Sequence, residues 1–188
     1  MKDPFDANDD RDAEALARWA AEVTTRDGAG EPPPSATRRR LLDTLASVDR
    51  FRPLFDVIRP IVDLDDAALR AVLARIDAPE DWVTLTPAVR HIDFTPGPCA
   101  AGSEAGLIRV SAAGWFPLHR HSGRELVCVL EGAGLLDGAR YLPGAVIESA
   151  EGTRHRFQAG SERDLIVLVV HNGVTFEQKP RSVSAPGS

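Results

Sequence analysis

The sequence predicts a mainly β protein, a closed barrel or jelly roll preceded by a small α-helical segment, and three observations predict it. From Trp82 onward, short apolar segments alternate with Gly and Pro, which is the rhythm of strands and turns. Before Pro79 the apolar residues recur at helical spacing instead, as in Leu69, Val72, Leu73 and Ile76, which fall at i, i+3, i+4 and i+7. One strand-like segment also carries His119-Arg-His121-Ser-Gly-Arg-Glu125, a set of metal-ligating side chains that the interior of a small barrel can hold.

Taken in order, residues 11 to 25 place Leu16, Trp19, Ala20 and Val23 at helical spacing, with Asp12 and Glu14 near the start, where they favour the helix dipole. The run from Gly28 through Pro32, Pro33 and Pro34 to Ser35 has linker chemistry, so residues 1 to 35 read as one helix plus a linker. Residues 37 to 48 predict a second helix with Leu41, Leu45 and Val48 on one face. Its opening Arg38, Arg39 and Arg40 sit at the electrostatically poorer end and read as a solvated turn, with an anionic partner surface as the sharper alternative. Pro53 starts a short helix through Leu54, Val57 and Ile58 that Pro60 interrupts, and Asp63 or Asp65 caps the next. Residues 36 to 80 are thus expected to form a small helical subdomain, residues 81 to 180 the barrel, and residues 181 to 188 a flexible tail.

The predicted strand segments are 83 to 94, 105 to 110, 113 to 118, 125 to 136, 140 to 148, 155 to 158, 164 to 170 and 174 to 178. With Glu125 facing the interior, strand alternation puts Val127 and Val129 inside and Leu126, Cys128 and Leu130 outside. An outer face that apolar needs a cover: the helices of 36 to 78, a second sheet, or a second copy of the chain. The doubly apolar run Leu165 to Val170 makes the same demand, and a homodimer is expected.

The net charge of -6 supplies no basic field of the kind that binds phosphate, which excludes direct nucleic-acid binding. The stretch from Met1 to Asp10 is acidic and lacks an apolar core, unlike a signal or transit peptide. The longest strongly apolar run, Leu165 to Val170, is too short to span a bilayer. A cytoplasmic location is the expectation, and two cysteines, Cys99 and Cys128, give no disulfide framework.

The chemistry concentrates at the His-x-His pair. On one strand both imidazoles point the same way, and Glu125, four residues on, completes one side of a coordination shell. The best further donor is His155, beyond the turn at Pro143-Gly144. Three imidazoles and one carboxylate suit Zn²⁺, Fe²⁺, Mn²⁺, Ni²⁺ or Cu²⁺, whereas Ca²⁺ and Mg²⁺ prefer oxygen shells. Zinc with four protein ligands is a closed structural or sensing site; iron or manganese with the same four keeps positions open for catalysis. His171 and His91 read as capping or supporting residues, Cys128 as a small packing residue, and Cys99 as the exposed thiol. Arg109, Tyr141 and Arg154 are cavity candidates, with a surface position the default for both arginines.

The stretch from Gly114 to Gly132, with His119, His121 and Glu125, resembles the first motif of the cupin superfamily, and Tyr141-Leu-Pro143-Gly144 through His155 resembles a variant of the second. The likeness covers about half the chain, residues 82 to 178. Within cupins, the His-x-His-x-x-x-Glu spacing, the Leu-Val-Cys-Val-Leu-Glu-Gly run and the Gly-Thr-x-His ending look most like the ChrR-type cupins, the sensor domains of anti-sigma factors. The resemblance implies a cupin double-stranded β-helix and the metal ligands His119, His121, Glu125 and His155, zinc being the metal. It also implies a sensor or regulatory module whose N-terminal helices meet a sigma factor or other regulator, with a small-molecule ligand in the barrel. A small cupin enzyme of dioxygenase or isomerase type is the alternative. The His-x-x-x-Cys-x-x-Cys cluster that precedes the barrel in ChrR proteins has no counterpart here.

Overall fold

The computed structural model describes residues 35 to 177. The helix expected over residues 11 to 25, most of the linker and the tail lie outside the described residues. The chain divides into two compact units between Arg50 and Phe51. The first contributes helix α1, Ser35–Leu45, in which no side chain is buried and Leu42 and Leu45 are exposed.

A 3₁₀ stretch, Val48–Leu54, contains this division and runs into helix α2, Phe55–Val62. Pro60 does not interrupt this helix, contrary to the sequence expectation. A proline inside a helix forfeits one hydrogen bond and costs about 3 kcal/mol, but Phe55, Ile58 and Val62 are all buried, and burying each contributes about 1.5–3 kcal/mol. The helix ends where Asp63 turns left-handed at φ 54°. Helix α3, Asp66–Ala74, starts from the N-cap Asp65, whose carboxylate accepts a 2.8 Å hydrogen bond from the Ala68 amide. Asp65→Ala is expected to cost about 1 kcal/mol, read as a lower urea midpoint with an unchanged slope.

Among the described residues eleven strands follow: β1 Val83–Thr86, β2 Val89–Phe94, β3 Glu104–Val110, β4 Trp115–His121, β5 Glu125–Glu131, β6 Gly134–Leu136, β7 Ala139–Tyr141, β8 Val146–Ser149, β9 Arg154–Ala159, β10 Leu165–His171 and β11 Val174–Phe176. They form two antiparallel sheets, ordered β1-β2-β3-β10-β5-β8 and β11-β4-β9-β6-β7. The architecture is therefore the expected one, mainly β with two sheets and helices ahead of them. Between the sheets lies one apolar core containing Val110, Phe116, Val127, Val129, Phe157 and Val167.

The alternation read from Glu125 holds, since Val127 and Val129 enter this core while Cys128 and Leu130 are buried on the opposite face. Leu168, between Val167 and Val169 on β10, is likewise fully buried on that outer side. Helical residues of the second unit bond to one another and to the strands and loops that follow them. The Trp82 indole N–H donates to the Ile76 carbonyl (3.1 Å), Arg75 to the Asp93 carbonyl (2.9 Å), and the Gly97 amide to the Val62 carbonyl (2.8 Å). At Gly97 a Cβ would overlap the Asp63 carbonyl oxygen, so only glycine permits the approach.

A bulge in β4 decides what surrounds the histidines. The register against β9 shifts between Phe116 and His119, at Pro117, which has no N–H to give a ladder. Simple alternation back from His119 would point Trp115 inward. Instead Phe116 stacks on Phe157 in the core at 4.8 Å, while Trp115 is 46% exposed with the Arg156 guanidinium 4.4 Å from its ring centre.

Candidate metal centre

Three strands of the two sheets deliver the four predicted side chains to one place. His119 and His121 lie two apart on β4, Glu125 opens β5, and His155 on β9 stands directly opposite His119 in the register. One potential ligand atom from each of the four falls within 4.8 Å of every other, and this set can hold a metal ion. The His121 Nε2 is 3.1 Å from a Glu125 carboxyl oxygen, the His155 Nε2 is 3.7 Å from the same oxygen, and the His119 Nε2 is 3.9 Å from the other. His119 and His121 are 1% exposed and Glu125 5%.

Hydrogen bonds on the far side of the rings fix which nitrogen faces inward. The His119 Nδ1–H donates to the Pro117 carbonyl at 2.9 Å. The Thr153 hydroxyl donates to the Ala150 carbonyl at 2.5 Å, so its lone pair accepts from the His121 Nδ1–H at 2.9 Å. Both rings therefore present a bare Nε2 to the centre, as an imidazole does when its other N–H is tied to an oxygen acceptor in a metal site. The His119 Nε2 has no hydrogen-bond partner although it is buried. A buried orphan acceptor costs about 1–3 kcal/mol, and a cation at the centre would satisfy it.

Electrostatics agree with the geometry. Burial pushes the Glu125 carboxyl up to about 7. Burial, followed by the neighbouring imidazoles His119 and His121, holds His155 down at about 4, and burial likewise lowers His119 and His121. Near neutrality the three rings are neutral, which is the form that ligates. Without a metal, a proton on Glu125 is what can bridge its 3.1 Å contact with the bare His121 nitrogen.

Of the other candidates, Tyr141 lines an apolar cavity of about 20 Å³ beside His155. Arg109 does not line the interior. It lies on the helical side, its guanidinium 4.7 Å from the Trp82 ring centre. Arg154 is exposed, 3.8 Å from Glu177. His171 accepts the Gly173 amide at 3.1 Å and closes the turn after β10, and His91 pairs with Asp93 at 3.1 Å. Cys128 is buried with its thiol pushed up to about 11 by burial, and Cys99 is exposed. Thr153 and Ser149 received no role from the sequence. Thr153 stood inside the Gly-Thr-x-His ending, whereas Ser149, whose hydroxyl is 3.4 Å from the His155 Nδ1, carried no signal.

No family model matches this chain, and no curated protein matches it. The solved structures it resembles are cupin-like proteins. One is a complex of the sigma factor SigE with the anti-sigma factor ChrR from Rhodobacter sphaeroides, at 22% identity and TM-score 0.46, covering 85% of this chain and 78% of that one. Another is an RmlC-like cupin protein from Ralstonia eutropha JMP134, at 23% identity and TM-score 0.45, covering 52% and 66%. A third is oxalate oxidase, at 18% identity and TM-score 0.41, covering 49% and 57%. The chain thus spans less than two thirds of the length of the last two. Among the described residues no helix is long and apolar enough to cross a membrane.

Proposed function

We propose that His119, His121, Glu125 and His155 hold one divalent metal ion, zinc, and that the barrel is a sensor or regulatory module. The observation that carries the reading is the buried, unpartnered Nε2 of His119 facing two further imidazoles and a carboxyl group. Such a cluster is costly to bury without a cation. When bound, zinc supplies the positive charge that these donors lack, and with four protein ligands it forms a closed shell suited to structure or sensing. The chain's own residues do the rest: Pro117 and Thr153 hold the imidazoles in the ligating tautomer, and Phe116 and Phe157 keep water from one side. The exposed leucines of α1 support a protein partner, a sigma factor or other transcription regulator. Zinc near one ion per chain in protein purified without chelator, and a sigma factor among the proteins it captures, are the expected results. Metal-free protein would defeat the first part, and failure of every sigma factor tested to bind would defeat the second.

A second reading, a small metal-dependent enzyme of dioxygenase or isomerase type, is favoured by one observation: a cavity of about 260 Å³ reaches Glu125. It predicts iron or manganese in place of zinc, and oxygen uptake or isomerisation with a small substrate.

A further inference from the structure

The cavity that reaches Glu125 has a composition that points to one kind of occupant. Its wall includes Phe116 and Phe176, whose ring centres lie 5.9 Å apart at 53°. Ring faces attract cations, most strongly where water is displaced. Its rim carries Asp93 on β2 and Glu104 on β3, and its lining contains no Lys or Arg. Asp93 stands opposite Gly106 in the register. Two rim carboxylates and two aromatic rings, with no Lys or Arg and with both lining histidines engaged, His91 with Asp93 at 3.1 Å and His171 with the Gly173 amide, favour a positive ligand over a carboxylate or phosphate. At about 260 Å³ the space is just below the usual range for ligand pockets, about 300–1,000 Å³, which sets a small size.

We infer that this mouth of the barrel binds a small organic cation, its ammonium head at Asp93 and Glu104 and its apolar body against Phe116 and Phe176. The inference rests on reading the barrel interior as the working site, and it names the chemical class that a sensor would detect or an enzyme would convert there. None of these four residues is among the four proposed metal ligands, so charge selectivity can be read apart from metal content.

The test is calorimetric titration of the full chain with phenethylammonium, 2-phenylethanol and 3-phenylpropanoate, with metal content measured on the same samples. The ammonium is expected to bind roughly tenfold or more tighter than the alcohol, a difference of about 1.4 kcal/mol. In the D93N/E104Q double variant that preference should vanish while bound metal stays the same. Equal affinity for ammonium and alcohol, tighter binding of the carboxylate, no binding of the ammonium, or a preference that survives in the double variant would each overturn the inference. Absence of metal with ammonium selectivity intact would instead count against the proposed metal site alone.

Discussion

His121→Ala is expected to reduce bound metal from about one ion per chain to background, and chelation of the wild-type protein to reproduce most of the resulting loss of stability. The ring supplies a bare Nε2 to the centre and contacts Glu125 at 3.1 Å, so its removal takes away one of four donors and leaves the carboxyl without its nearest partner. A metal that binds only the folded state stabilises it by about 4.1 kcal/mol when its free concentration is 1,000 times Kd, so the effect should be visible as a large drop in Tm. The control is Thr153→Val, which leaves all four donors but removes the oxygen that holds the His121 Nδ1–H. Losing such a supporting bond typically costs 10–100-fold in metal affinity. Elemental analysis and competition with a chelator separate the two. A Thr153→Val protein as empty as His121→Ala, or a His121→Ala protein that keeps its metal, would contradict the assignment.

Metal affinity is expected to be flat above pH 7 and to fall about tenfold per pH unit below it. The cause is Glu125, whose carboxyl burial pushes up to about 7: below that pH a proton must leave before the carboxylate can ligate. His155, held at about 4 by burial and its imidazole neighbours, adds a second proton only near that pH, where the slope should steepen. Calorimetry in two buffers of different ionisation enthalpy should find about one proton released per metal at pH 6 and almost none at pH 8. A break near pH 4.5, where an ordinary carboxyl titrates, would mean that Glu125 is not the group displaced.

The metal-free protein should respond to pH through Glu125 and the buried imidazoles with opposite signs. Folding takes up a proton at Glu125 between about 4.5 and 7, so this group destabilises the fold as pH rises through that window. His155 resists protonation from its ordinary 6.5 down to about 4, so it destabilises the fold as pH falls through that window. His119 and His121, lowered by burial as well, act in the same direction as His155, so the metal-free protein should lose stability as pH falls below 6.5, with Glu125 opposing part of that loss, and metal should add stability at neutral pH by removing the Glu125 cost.

Three of the four donors lie within seven residues, on a strand and the start of the next, and strand alternation alone put both histidines on one face. The same alternation placed Val127 and Val129 inside and Cys128 outside, because the side-chain period of a strand is fixed at two. Local rules also found the apolar stripe of α3 and narrowed its cap to Asp63 or Asp65, of which the structure uses Asp65. Tertiary structure decided what local rules do not contain. It kept α2 intact through Pro60, because burial of Phe55, Ile58 and Val62 outweighs one lost hydrogen bond. It shifted β4 at Pro117 so that Phe116, not Trp115, faces the core. It set His155 opposite His119 through a pairing that spans more than thirty residues, and it supplied Thr153, Ser149 and the Pro117 carbonyl as partners of the rings. It also placed Asp93 and Glu104 on the rim of the cavity that Glu125 lines. Donor types and faces follow from residue identity and strand period, whereas tautomers, pKa values and the cavity's charge depend on which distant strands pair.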